Sequence, residues 1–325
     1  MQSFIRTHVI SSRNALMFLL SCLLLLAASG CGSQPTSVSA VDFYGTPITF
    51  PQKAPQRIVS LTAGTSEMLG ALHLERRVVG VDSYTDYPSA LTSLPRVDDV
   101  NGVYNVEQIV ALKPDLVLSW GGETKLYDVQ LKHLGLNVVD LPTGNFSQTI
   151  QQILLVGRLT LTEDTANTVV QQLQQQIDQI KATVAKAAAP SVLLEVDDST
   201  PGKPFVFGGG SFGDDMLQDA NAINIFHNNS SNNGYPQVTD EAIIKANPQF
   251  VLLTEDLQYG GDPNLVYQRA NWGSIDALKL HHVYHIDVDI MQHPGPRLVE
   301  GLQCVAQIVH PDKFSGTLPD YCKVK

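Results

Sequence analysis

The chain has 325 residues, 43% hydrophobic and 16% charged, which is enough apolar material for a sizeable core and fits neither a disordered chain nor a coiled coil. Its 21 basic and 32 acidic residues give a net charge of −11, the wrong sign for a general nucleic-acid binder, which must set clustered cations against phosphates. Only one stretch is apolar enough to meet a membrane, and its place at the extreme N-terminus excludes a polytopic membrane protein. Arg6 and Arg13 lead into an apolar run from Ala15 to Ala28, broken only by Ser21 and Cys22. As a helix this run reaches about 21 Å, too short to span a bilayer comfortably, so residues 1–30 read as a secretory signal peptide.

The run closes on Ala28-Ser29-Gly30-Cys31, which resembles a bacterial lipobox with Ala28 where Leu is usual. That resemblance makes Cys31 the lipidation site and the first residue of an exported, membrane-anchored chain. An ordinary cleaved signal is the alternative. Residues 32–40, rich in Ser, Thr and Pro, read as a flexible tether, and 31–55 as tether plus the start of a first lobe. Loss of residues 1–30 removes two positive charges and no acids, taking the net charge from −11 to −13. Cys22 leaves with the signal and Cys31 carries the lipid. Cys304 and Cys322 remain in an oxidising compartment, where a pair is normally bonded; a metal pair is the rival, weakened by the lack of nearby ligands.

From Arg57 strands and helices alternate. Strands are expected at 57–61, 78–81, 116–120 and 138–141, and helices at 67–72 (entered through Thr65 and Ser66 as caps), 106–112 and 129–134. Such alternation implies a mostly parallel sheet covered by helices. Between Glu163 and Ala189, apolar residues fall at Ala166, Val170, Leu173, Ile177, Ile180 and Val184, and Pro190 stops the pattern. This predicts one helix roughly 39 Å long, with too few heptads for a dimeric coiled coil. A second α/β unit starts at 191–196. Residues 106–118 and 240–252 echo each other at an offset of 134, with Glu107 matching Glu241, Ile109 matching Ile243 and Pro114 matching Pro248. The expected organisation is an N-terminal lobe over 56–160, a linking helix over 161–190 and a C-terminal lobe over 191–325.

Gly80-Val81-Asp82-Ser83-Tyr84-Thr85-Asp86-Tyr87-Pro88, residues 109–118 with Trp120-Gly121-Gly122, and Pro236-Gln237-Val238 resemble the substrate-binding proteins of ABC importers in the helical-backbone class, class III. That class carries cobalamin, siderophores or haem, and the chain looks most like its cobalamin-binding members, from Arg57 to about Asp312. The resemblance implies an α/β fold of two Rossmann-like lobes joined by a single long rigid helix. It implies a corrinoid carried as cargo, no catalytic cofactor and no enzymatic activity, and an ABC permease dimer as partner. The ligand residues it implies are Tyr84, Trp120, Tyr235 (Trp in the family) and the segment Asp289, Ile290, Met291, Gln292, His293, which usually ends in Arg. The docking residues it implies are Glu107 and Glu241. A family tryptophan before the Glu107 helix is absent, with Val103-Tyr104 nearby. A family cysteine falls near Ala220, so Cys322 must replace it as partner of Cys304. The alternatives are a ferric siderophore or haem carrier of the same class, and an extracytoplasmic metal-binding protein or enzyme on the same lobes.

Three other features have plainer explanations. Gly208, Gly210 and Gly213 spell G-x-G-x-x-G, but a tight turn bringing backbone to a cleft accounts for them better than a dinucleotide site. His281, His282 and His285 read as a surface edge, because a strand over 283–287 splays neighbours to opposite faces. No G-x-S-x-G, catalytic-looking Cys or informatively spaced carboxylate pair is present.

Overall fold

The computed structural model describes residues 40–322 except Val100 and Thr143; the signal segment, Cys31 and the tether up to Ser39 lie outside the described residues. The first sheet contains β1 (Ile58–Ser60), β2 (Val78–Gly80), β3 (Leu116–Trp120) and β4 (Val138–Leu141), in the order β2-β1-β3-β4. All pairings are parallel, with Ile58 beside Val78 and Leu116, and Val117 beside Val138. β3 and β4 are buried along their full length, which is why they read as Val/Leu-rich runs broken only by Ser119 and Asp140 and without strict alternation.

The second sheet is built on β5 (Ser191–Asp197), parallel to β8 (Phe250–Leu253), which is parallel to β9 (Val283–His285). Two short strands flank β5: β6 (Phe205–Val206), antiparallel near its end, and β7 (Ile223–Asn224), parallel at its start. Helices α1 (Ala63–Ala71), α2 (Val106–Ala111), α3 (Lys125–His133) and α4 (Phe146–Thr160) belong to the first half. α5 (Glu163–Val184) leads to the second half, with α6 (Phe212–Asp219), α7 (Asp240–Ala246), α8 (Val288–Gln292) and α9 (Leu298–Val309).

Two local expectations are corrected. α1 starts earlier than read, with Thr62 as its cap, accepting from the Thr65 amide at 3.4 Å. Thr65 and Ser66 lie inside the first turns, where their hydroxyls join Ser60 in a buried chain: Ser66 Oγ donates to Ser60 Oγ at 2.9 Å. α5 ends at Val184, short of Ala189, and buries Ala166, Val170, Ile177, Ile180 and Val184 as its periodicity requires. It packs on α4, a helix absent from the sequence-based expectation. Its signal is nonetheless local: Asn145 and Gln148 form a reciprocal capping box, with amide-to-side-chain distances of 2.9 and 3.0 Å.

The internal echo is structural. Lys113 and Asn247 both end their helices in the left-handed region, at φ 50° and 48°. Asp115 and Gln249 then bond the chain at the start of the neighbouring strand, Asp115 Oδ1 accepting from Arg57 N, just before β1, at 2.9 Å and Gln249 Oε1 from Ser191 N, the first residue of β5, at 3.0 Å. Arg57 and Ser191 are also 134 apart, so the repeat extends back to β1 and β5.

Cys304 and Cys322 are disulfide-bonded, 18 residues apart, pinning the final turn to α9. Replacing both by Ala should lower the unfolding free energy by about 3 kcal/mol on the chain-entropy scale. Urea melts check this, and a midpoint equal to the parent's contradicts it.

Candidate functional site

Segments at the carboxyl ends of strands from both sheets line a cleft, the usual place for a ligand in parallel α/β structure. Its larger cavity, about 700 Å³, is lined from the first half by Phe43, Trp120, Gly121, Glu123, Asn145 and Gln148. The second half contributes Val196, Phe207, Ser211, Phe212, Asn232, Asn233, Tyr235 and Gln292. Phe207, Phe212 and Tyr235 form one aromatic wall, with ring centroids 5.3 to 6.2 Å apart. Opposite stands Trp120, 7% exposed, whose indole N–H has no hydrogen-bond partner. The glycine run serves as a turn: a Cβ on Gly209 would lie 1.9 Å from the His227 carbonyl oxygen, so Gly208–Gly210 brings bare backbone to the cavity.

A second cavity, about 260 Å³, shares Glu123 and Gln292 with the first. Its lining includes Leu61, Asp82, Tyr84, Asp98, Tyr104 and His293. Tyr104, near the missing tryptophan, donates its hydroxyl to the Leu61 carbonyl. The acids are crowded. Burial, then the Asp82 charge, pushes Asp98 up to about 6 and Glu123 up to about 7, and burial also raises Asp82. Glu123 is itself exposed to the cleft, so its surroundings raise its pKa without shutting it off from water. It is placed by Gly121 and Gly122, at φ 69° and 75°, which turn the chain after β3; a Cβ on Gly122 would lie 2.4 Å from the Phe43 ring.

No Lys or Arg appears among the described residues lining either cavity. Arg96 donates to the carbonyls of Asp82 and Thr85, both at 2.8 Å. Arg297 is committed to a latch between the halves. Its Nε and Nη2 donate to Glu67 Oε1 of α1 at 2.9 and 2.7 Å, and Nη2 also donates to Asp86 at 3.1 Å. Gly64 and Gly295 allow this approach, since a Cβ on either would fall 2.7 to 2.8 Å from Pro294 O or Glu67 Oε2. His293 sits in the same network, Nδ1 3.6 Å from Glu67 and Nε2 3.9 Å from Asp289. Burial disfavours its cation, but Glu67 and Asp289 outweigh that and raise its pKa.

The sequence-derived residues divide. Trp120 and Tyr235 line the large cavity, Tyr84 and His293 the small one, and Gln292 both. Ile290 and Met291 are buried in the core and line neither cavity, because α8 turns them inward under α9. Asp289 faces Asp86 and His293 in the latch network; burial, then its contact with Asp86, pushes it up to about 7. Glu107 and Glu241 are exposed in the first turns of α2 and α7, capped by Asn105 and Thr239. His282 stacks on Phe250 at 4.4 Å and His285 Nε2 bonds the Glu255 carbonyl, so the three histidines build no common site. The one candidate metal-ligand group among the described residues is Asp86, Asp289 and His293, where Arg297 already supplies the cation. Sequence reasoning missed Phe43, Phe207, Phe212, Glu123 and the Glu67–Arg297 pair. Phe207 and Phe212 flank the glycine turn, which was the available signal.

A family model described as "Periplasmic binding protein" matches residues 58–290. The chain is 32% identical over 314 residues, 90% of its length and 96% of the relative's, to an uncharacterized ABC transporter substrate-binding lipoprotein, YvrC, of Bacillus subtilis. It is 26% identical over 224 residues, 69% of this chain and 78% of the relative, to a vitamin B12-binding protein of Yersinia pseudotuberculosis. Among solved structures, a periplasmic heme-binding protein from Pseudomonas aeruginosa superimposes with a TM-score of 0.67 at 28% identity, covering 79% of this chain and 93% of that one.

Proposed function

This chain belongs to the periplasmic binding protein family, and we propose that it captures a corrinoid, cobalamin, between its lobes and hands it to an ABC importer's permease dimer, without catalysing a reaction. The observation that carries this reading is the cleft's lining: aromatic walls and side-chain amides, with no Lys or Arg among its described residues. A corrinoid is a large flat ring fringed with neutral amides, which suits Trp120, Tyr235 and Tyr84 as faces and Asn145, Gln148, Asn232 and Asn233 at the periphery. Haem propionates and anionic siderophores call for guanidinium or ammonium partners instead. The vitamin B12-binding relative supports this choice, and the heme-binding neighbour makes haem the second reading.

In this reading Cys31 bears the lipid that holds the protein at the membrane, and Glu107 and Glu241 dock it on the permease. The linking helix and the Glu67–Arg297 latch restrain the lobes, so ligand binding closes them only slightly. The test is a titration of the purified protein with cyanocobalamin and haem, read by absorbance. Trp120→Ala and Tyr84→Ala should each weaken cobalamin binding by at least about 2 kcal/mol, roughly thirtyfold. Parent-like affinity in both variants, or a clear preference for haem, overturns the assignment.

A further inference from the structure

Glu123 lines both cavities, at the point where they join. Its neighbours in the acidic pocket are engaged. Asp82 accepts from Thr85 Oγ1 and, at 3.2 Å, from the Tyr84 amide, while Asp98 accepts from the Ser83 amide and hydroxyl at 2.5 and 3.2 Å. The Glu123 carboxyl, by contrast, makes no hydrogen bond or ion pair among the described residues; it is exposed to the cleft, whose described lining supplies no Lys or Arg to neutralise it. His293, the basic group in that pocket, is bracketed by Glu67 and Asp289. Three residues before Glu123, the buried Trp120 leaves its indole N–H without an acceptor beside the same cavity. Unused hydrogen-bonding groups on both sides of one turn point to a ligand that supplies the partners.

We propose that Glu123 is the residue that selects the ligand by its peripheral groups: it accepts a hydrogen bond from a primary amide or other N–H donor and turns away ligands that place a carboxylate there. Above about pH 7, where this carboxyl is ionised, an amide N–H meeting it makes a charge-assisted bond. A ligand carboxylate in the same place meets a like charge across the cleft and finds no Lys or Arg among the described lining to offset it. This role rests on the cleft being the ligand site, as proposed above, but concerns the periphery of the ligand and not its macrocycle.

In a buffer more than one pH unit above the raised Glu123 pKa of about 7, so that its carboxyl is ionised, the experiment titrates the parent protein and Glu123→Gln with four probes. These are cyanocobalamin, cyanocobalamin with one to three peripheral amides hydrolysed to carboxylates, haem, and haem with both propionates converted to amides. The parent should bind the amide form of whichever macrocycle it accepts at least about tenfold more tightly than the acid form. In Glu123→Gln that ratio should shrink to within about threefold, chiefly because the acid form gains affinity, with thermal melting unchanged. Equal binding of amide and acid forms by the parent, or an undiminished ratio in the variant, overturns the role of Glu123. Cobalamin binding without the preference therefore removes Glu123 and leaves the corrinoid reading. Failure of cobalamin alongside preferred binding of the amidated haem removes the corrinoid reading and leaves Glu123.

Discussion

Arg297→Met should lower the unfolding free energy by up to about 3–5 kcal/mol, because it removes the guanidinium from a buried carboxylate and leaves Glu67 only the more distant His293, 3.6 Å away. Glu67 is 1% exposed and Arg297 9% exposed, so water cannot replace the lost partner. Three donors converge on that carboxyl from Arg297: Nε and Nη2 on Oε1, and the backbone amide on Oε2 at 3.4 Å. The guanidinium also lies 4.7 Å from the Tyr87 ring centroid, so the arginine contributes packing as well as charge. Met keeps much of the volume and removes the charge alone. The companion variant Glu67→Leu with Arg297→Met removes both charges and should recover most of the loss. Denaturant melts of the three proteins decide the matter: a drop below about 1 kcal/mol in the single variant places the pair in the weak, solvent-screened class. Because the latch joins α1 to the segment before α9, the single variant should also expand in scattering, and an unchanged radius argues against a latch.

If the proposed docking role holds, Glu107→Arg together with Glu241→Arg should abolish uptake while leaving ligand affinity at the parent's level. Both glutamates are exposed, one in each half, at equivalent places of the internal repeat. Bonds from its own backbone amide and the Thr239 hydroxyl hold the Glu241 carboxyl below the usual range, so it carries its charge at neutral pH. Both side chains are exposed to solvent in a first helical turn, so the double change should hardly affect folding. Charges of this kind govern encounter and orientation with a complementary cationic partner, and their effect weakens with salt. Transport assayed in reconstituted vesicles checks this expectation. Undiminished uptake by the double variant removes both residues from docking.

Much of this protein could be read from its sequence. The strands of the first sheet were legible because parallel strands are buried on both faces, which leaves mostly apolar runs such as residues 116–120 and 138–141, broken only by Ser119 and Asp140. α5 was legible because a single buried stripe imposes a helical period. The repeat was legible because two lobes with the same packing problem solved it with the same residues. The aromatic residues Tyr84, Trp120 and Tyr235 were reached only through a family resemblance, and their places in the two cavities came from the fold.

Other features depend on distance in space. Nothing near Glu67 in sequence announces Arg297, 230 residues away, because a buried ion pair is a property of two surfaces brought together. Ile290 and Met291 stood in a segment read as ligand contact, yet they are core residues. A five-residue helix presents its residues to different sides, and only tertiary packing decides which side faces the cleft. Glu123 looks like one acid among 32 until the two left-handed glycines before it place its carboxyl where two cavities meet. Sequence pattern records periodicity and burial along the chain, so it determined the two sheets and the helix between them. The charge and hydrogen-bonding balance of the cleft is a sum over residues from many segments, and only the folded chain decided it.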